Sequence, residues 1–150
     1  MISHISFQEQ VLLRLQGFAD LLALVAADQM KEAQYQATEF TYPGIRIDVR
    51  SQIPEGSGQC RPTISIENFA VLAYSEDDSS LECEQICFEI VEALTADPVF
   101  GAQLEDVAPA QGPAWRTETV NLAIFNAPRR MAERVWRGEV VFRCRVKETS

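Results

Sequence analysis

The 150-residue sequence has a single histidine, His4, and no uncharged apolar run long enough to form a transmembrane helix. Because His4 lies beside a terminus that is expected to fray, a Ser/His/Asp or Cys/His site built on it is not expected. Residues 1–10 also lack a basic region followed by an apolar stretch, so no secretory signal is predicted. These absences argue against a nucleophilic enzyme and against membrane partners.

Cysteine is sparse, with four residues in the whole sequence: Cys60, Cys83, Cys87 and Cys144. That number is too low for a disulfide-stapled scaffold, so buried thiols in a reducing cytosol are predicted. Structural zinc requires four ligands, and only Cys83 and Cys87 have a suitable spacing. The Gly56–Gly58 stretch lacks the Lys of a phosphate-binding loop. No metal and no cofactor is therefore predicted.

Basic residues are missing from residues 76–106, which contain ten acids, whereas residues 129–150 hold seven basic groups and three acids. The formal net charge is −9, which disfavours general binding to nucleic acid. The basic end could instead meet an acidic surface on a neighbouring chain. The acidic pairs Asp77–Asp78 and Glu105–Asp106 are interpreted as capping or solvated groups, not as an acid–base site.

Two amphipathic helices with broad apolar stripes are predicted. The first begins at the Ser6–Glu9 capping-box spacing and continues to about Ala27 or Met30. Its stripe consists of Val11, Leu15, Phe18, Leu22 and Val25. The second follows N-cap candidates at residues 77–80 and ends at Asp97–Pro98. Its stripe consists of Cys83, Ile86, Cys87, Ile90, Val91 and Leu94.

Four strands are predicted from alternating apolar and polar residues. The first, at about 45–50, and the second, at 63–75, form a hairpin whose tip is the Gly- and Pro-rich stretch 54–59. The third covers 119–124 and is followed by a turn or irregular excursion at 126–130. The fourth has one apolar face, formed by Trp136, Val140, Phe142, Cys144 and Val146.

These elements predict a single α+β domain over residues 1–150. The order is α-β-β-α-β-β, with a mostly antiparallel four-stranded sheet packed by the two main helices. Whether Trp115 and Trp136 belong to the core or to an interface stays open.

This order of elements resembles the tail-terminator, or tail-completion, proteins of long-tailed bacteriophages. The matching features are the Leu-rich helix at Val11–Val25, the Ile45–Val49 strand, the hairpin tip at 54–58, and the run 63–75. That run leads into a helix that ends Ile90-Val91-Glu92-Ala93-Leu94, and two closing strands follow. The resemblance implies a structural protein of the virion neck that assembles in the host cytoplasm as a homohexameric ring.

The resemblance also implies the partners: other copies of the chain, the major tail tube protein and a head or neck connector. DNA would only pass through the channel. Cyclic assembly joins two different patches of neighbouring subunits, and acids within 76–106 are expected to meet the basic end of a neighbour. The predicted interface residues are Arg129, Arg130, Arg134, Trp136, Arg137, Asp77, Asp78 and Glu82.

Two alternatives stay open. One is a different head–tail joining protein of a virion, which would form a ring of another size or bind the portal. The other is a small-molecule-binding or enzymatic α+β domain, which would be monomeric or dimeric and would have a deep pocket with convergent polar groups.

Overall fold

The first apolar stretch forms three short helical pieces instead of the single helix predicted. In the computed structural model, which describes residues 1–35, 40–55, 63–95 and 104–149, they are α1 (His4–Gln16), α2 (Ala19–Leu22) and a 3₁₀ turn (Ala27–Gln29). The break lies at Gly17, whose N–H reaches back to the Leu13 and Arg14 carbonyls. Phe18 then adopts an extended backbone, with φ −91° and ψ 110°, so the helical hydrogen-bond ladder cannot continue.

The start of α1 differs from the predicted capping box. Ser3 is the N-cap residue, and its side chain accepts a hydrogen bond from the Ser6 N–H at 3.3 Å. Ser6 lies within the helix and is buried. The prediction of Ser6 as the cap was therefore wrong by one turn of the helix.

In the part of the chain that the structure describes, six strands form one sheet with the order β1-β2-β3-β6-β5-β4. Their bounds are β1 Met30–Glu32, β2 Gly44–Glu55, β3 Ile64–Glu76, β4 Glu105–Asp106, β5 Trp115–Ala132 and β6 Val135–Glu148. All neighbouring strands are antiparallel except β1 and β2. The α+β class and the mostly antiparallel sheet are confirmed, but the predicted count of four strands was wrong. The two strands that were missed have three and two residues, too few for an alternating pattern.

The β2–β3 hairpin is confirmed, with Glu55 opposite Ile64. Pro54 and Glu55 were expected in the tip and instead belong to β2. The rest of the predicted tip and Cys60 lie outside the described residues.

Of the two interpretations of 126–130, the turn is wrong, because β5 continues through it as far as Ala132, and the irregular stretch agrees with the register shift there. Strand β6 lies alongside and supplies a backbone partner, although the register shifts between Asn126 and Arg129. The turn occurs instead at Glu133–Arg134, where Arg134 has a φ of 62°. The β5–β6 hairpin is therefore much longer than predicted.

The helices cover one face of the sheet, and the hydrophobic core lies between the two layers. Helix α3 (Leu81–Thr95) packs on β3, β5 and β6, while α1 packs on β1, β2 and β4. The predicted α3 stripe is confirmed as buried, apart from the partly buried Val91. Its predicted end, Asp97–Pro98, lies outside the described residues. Trp115 is in the core at 1% exposure, whereas Trp136 is only partly buried.

Strand β3 brings polar side chains into the core, which the sequence pattern did not predict. Ser65, Glu67 and Ser75 are buried on the face that the helices cover. Gln52 and Ser65 donate hydrogen bonds to Glu67 Oε1. Glu67 Oε2 and Ser75 Oγ have no hydrogen-bond partner in the described part of the chain. Burial raises the pKa of the Glu67 carboxyl, against the lowering effect of the Gln52 hydrogen bond.

Candidate assembly surfaces

Four of the predicted interface residues meet at one end of the sheet. The β5–β6 turn folds against the loop that joins β3 to α3, and the Asp77 N–H donates to the Arg134 carbonyl at 2.8 Å. Arg134 Nε lies 3.2 Å from Asp78 Oδ1. Trp136 Nε1 donates to the Asp77 carbonyl at 3.1 Å. The structure therefore places Asp77, Asp78, Arg134 and Trp136 together within a single chain.

The ion pair at this end is weak, because the Arg134 and Asp78 side chains are 58% and 84% exposed. Glu82 follows in the first turn of α3. Partial burial and, secondarily, the nearby Asp77 carboxylate raise the pKa of Glu82. The charges of Arg134 and Asp78 partly neutralise each other, and both side chains remain accessible to a partner.

Arg129 and Arg137 lie opposite each other on β5 and β6. They line an open cavity of about 390 Å³ together with Asn126, Ala127 and Glu139. Arg50 Nη2 donates to Glu139 Oε2 at 2.7 Å, and this hydrogen bond holds the pKa of Glu139 below its ordinary value. The positive charge of Arg137 contributes to this lowering of the Glu139 pKa.

Arg130 and Arg129 lie on opposite faces of the sheet. Arg130 is opposite Trp136, on the face that the helices cover, whereas Arg129 is opposite Arg137 on the other face. Arg130 is exposed and donates from Nε to the Ala132 carbonyl at 3.4 Å. The predicted arginine cluster is thus divided between the two faces of the hairpin.

The face of the sheet opposite the helices, here called the outer face, is polar and cross-linked. Arg145 contacts Glu118 and also Glu55, the latter at 2.9 Å, and Arg143 donates to Asn68 at 3.2 Å. The outward positions of β6 alternate with its buried ones and carry mostly cations. They are Arg137, Glu139, Val141, Arg143, Arg145 and Lys147. The basic end predicted from the sequence therefore forms much of the outer face.

The helix side has the opposite charge. Helix α3 exposes the carboxylates of Glu84 and Glu92 together with two apolar side chains, Leu81 and Phe88. The Phe88 ring lies 5.3 Å from that of Phe125 on β5, centroid to centroid. An acidic and aromatic strip thus runs along α3 beside β5, and it combines the charge and aromatic character of interface surfaces.

The edge strand β5 was missed as a candidate surface by sequence reasoning. Beyond Arg116, β5 has no strand on its outer side in the part of the chain that the structure describes. Leu122, Ile124 and Met131 are 41%, 52% and 51% exposed. The signal available in the sequence was apolar alternation at 120–124 next to the polar residues 126–130.

Within the described residues, no group of three His, Cys, Asp or Glu side chains could hold a metal ion. Asp106 is occupied by structural bonds, since it accepts from Ser6 Oγ at 2.8 Å and from the Ala108 N–H at 3.1 Å. Asp77 Oδ1 likewise accepts from the Asp78 N–H. Cys83, Cys87 and Cys144 are free and buried, as predicted.

Among the described helices, none has the length and apolar character required to cross a membrane.

Comparison with solved structures finds the fold in a chain of a gene transfer agent virion and in a bacteriophage protein. A chain in the virion of a native gene transfer agent (GTA) particle superimposes with a TM-score of 0.67 at 19% identity, covering 93% of each chain. The gp17 protein of bacteriophage SPP1 matches with a TM-score of 0.51 at 16% identity, covering 93% of this chain and 88% of that one. No family model matches the sequence, and no curated protein matches it. At these identities the likeness establishes the fold.

Proposed function

We propose that this protein is a structural component of a phage-type virion, located in the tail or at the head–tail junction. The observation that carries the proposal is the match over 93% of both chains to a protein of the GTA virion. The bacteriophage SPP1 protein with the same fold supports it independently. An end-to-end match indicates that the whole domain is shared, rather than one common motif.

In the more specific form of the proposal, the chain is a tail terminator. Six copies form a ring that caps the tail tube, stops its growth and joins it to the neck. The chain also has two surfaces of opposite charge, an acidic helix side and a basic outer face, which can meet different partners in such an assembly. The role is non-enzymatic, with the copies of the chain, the tube protein and a connector as partners.

Tail capping tests this function directly. Purified protein is added to tube protein that is polymerising on a length-defining template, and tube lengths are measured by negative-stain electron microscopy. Tubes of uniform length with added density at one end are expected. Uncapped tubes of unlimited length would contradict the terminator role. Binding to the portal instead of the tube would identify another head–tail joining protein.

The solution mass supplies a second readout. Light scattering on a sizing column should give a value near six times the 16.8 kDa chain mass. A closed ring of another subunit number would retain the virion role and correct the hexamer.

A further inference from the structure

The inference concerns the two long edge strands of the sheet and rests on the proposed function. Strand β1 covers β2 only at Ile45–Ile47, and β4 covers β5 only at Trp115–Arg116. Just past these pairs, the Thr117 N–H donates to the Leu104 carbonyl and the Ala33 N–H donates to the Ile47 carbonyl, each at 2.8 Å. Beyond those contacts, neither strand has a further strand on its outer side in residues 1–35, 40–55, 63–95 and 104–149. Unpaired N–H and C=O groups on such edges are templates for another strand.

The two free stretches lie at the same level of the sheet. Following the register across β3 and β6, Ser51 is level with Asn121 and Ile53 with Thr119. Pro54 lacks an N–H and therefore limits further pairing along β2. It is level with Thr117, which follows the two residues of β5 that pair with β4. Asp48–Ile53 on β2 is therefore level with Thr119–Ile124 on β5, and the open edge of β5 continues beyond this level to Ala132.

Both edges also bend at nearly the same height. The register of β2 shifts once, between Val49 and Ser51, and one of the four shifts of β5, between Leu122 and Ile124, lies at nearly the same level, while β3 and β6 pair without interruption. A bulge bends the strand that contains it. A regular extended peptide would fit such an edge poorly, whereas the opposite edge of the same sheet has a bulge at nearly the same level.

The strand directions favour a joint between copies. Strands β2 and β6 run one way and β3 and β5 the other. When successive copies are rotated about an axis roughly along the strands, β5 of one copy lies antiparallel to β2 of the next. Exposed apolar side chains are present on both stretches, with Ile53 at 51% and Ile124 at 52% exposure.

We propose that Thr119–Ile124 of β5 pairs, antiparallel and level, with Asp48–Ile53 of β2 in a second copy of this chain. The contact joins two different edges, so it is heterologous and propagates from copy to copy until the assembly closes. The sheets of neighbouring subunits then form one continuous sheet around the ring.

Cysteine trapping tests the proximity of the two edges. In a Cys60→Ser background, Ser51→Cys is combined in turn with Thr119→Cys, Asn121→Cys or Ala123→Cys and oxidised mildly. At least one pair should give a ladder of covalent species beyond the dimer on non-reducing gels, because each chain carries both halves of the joint. Variants with a single added cysteine stop at the dimer.

The matched control joins Asn121→Cys with Ile5→Cys, which lies on α1 and is 61% exposed. A ladder in this control equal to those of the edge pairs, or no ladder in any edge pair, would overturn the proposed joint. Tail capping by the wild-type protein decides the proposed function separately. If the protein caps tubes but forms no edge cross-links, the proposed function stands and the proposed joint is refuted.

A charge test checks the register without covalent chemistry. Ile53→Glu/Thr119→Glu places like charges across the joint, whereas Ile53→Glu/Thr119→Lys places opposite charges there. Within one chain the two positions are about 14 Å apart, beyond the screening length at physiological salt. The like-charged variant should associate about tenfold more weakly or worse, and the opposite-charged one should stay near wild type. Equal association of the two variants would refute the register.

Discussion

Glu67 is a buried carboxyl with one oxygen that lacks a partner among the described residues. Its folded pKa is raised, so ionising it costs free energy in the folded state. Below the unfolded pKa the group is protonated in both states and imposes no penalty. As the pH rises through the folded pKa, the penalty develops in full. The folded protein should therefore gain stability when this charge is removed at neutral pH.

The prediction is that Glu67→Gln raises the free energy of unfolding at pH 8, because the amide carries no charge that burial must desolvate. The gain should shrink to near zero at pH 4. Urea denaturation at pH 4, 6 and 8 measures both values, with the exposed Glu84→Gln as the control. A pH-independent gain would contradict the electrostatic origin.

Gly138 on β6 provides the space for two thiols of α3. A Cβ at this position would lie 2.3 Å from Cys87 Sγ and 3.3 Å from Cys83 Sγ. Both thiols are buried, and Cys83 Sγ donates to the Ala73 carbonyl at 3.4 Å, so neither has free room to move. The close packing of α3 on the sheet thus depends on the missing side chain.

Gly138→Ala should therefore destabilise the fold by about 1–3 kcal/mol, as overpacking does. In a Cys87→Ala background the added methyl group occupies the vacated volume, and the loss should fall by at least half. Denaturation of the four variants of this double-mutant cycle gives the coupling free energy. Additive effects would show that Cys87 is not the obstacle.

At the scale of elements, Ser6 connects α1 to two strands. Its hydroxyl donates to Asp106 on β4 and accepts from Trp115 Nε1 on β5, the latter at 2.7 Å. Trp115 is buried, so removal of the hydroxyl leaves the indole N–H without that acceptor.

We expect Ser6→Ala to lower the free energy of unfolding by about 1–3 kcal/mol. Ser3→Ala, which removes the α1 cap, should cost about 1 kcal/mol or less, because the cap bond is long at 3.3 Å. Thermal denaturation followed by circular dichroism compares the two. A larger loss for Ser3→Ala would contradict this ranking.

The four long strands and α3 could be predicted because each repeats its period over many residues. The division of the first helix could not, since the apolar spacing continues across Gly17 while the backbone turns at Phe18. The path of β5 through 126–130 depends on β6 as a partner, which is a tertiary effect. Glu67 was assigned to the polar face of its strand. The assignment failed because alternation shows the period of a strand but does not show which of its two faces is buried.

The candidate surfaces were predictable in part. Charge counting identified acidic and basic segments, and the structure distributes them over the helix side and the outer face of the sheet. Sequence reasoning did not anticipate that Arg134 would pair with Asp78 in its own chain. That contact depends on where the β5–β6 turn falls, and the turn was placed several residues too early.

At the scale of the whole molecule, the basic end remains the expected contact with a neighbour. Arg134→Glu/Arg137→Glu should dissolve the ring while leaving the fold intact, because exposed ion pairs contribute less than about 1 kcal/mol. Light scattering measures the mass. Arg116→Glu/Lys147→Glu makes the same change in net charge elsewhere on the outer face and should retain the ring. Loss of the ring in both variants would point to net charge alone.

The central position of β6 has a kinetic consequence. Strand β3 lies between β2 and β6 in the sheet. The middle of the sheet therefore cannot form until residues 135–148 have been synthesised and have paired with residues 64–76. Pairings between such distant segments make folding slow. A chain synthesised only as far as β5 would present β3 as an open edge to other chains. In the proposed assembly, subunits would therefore become competent to join only after their last strand has docked, which would separate folding from polymerisation in time.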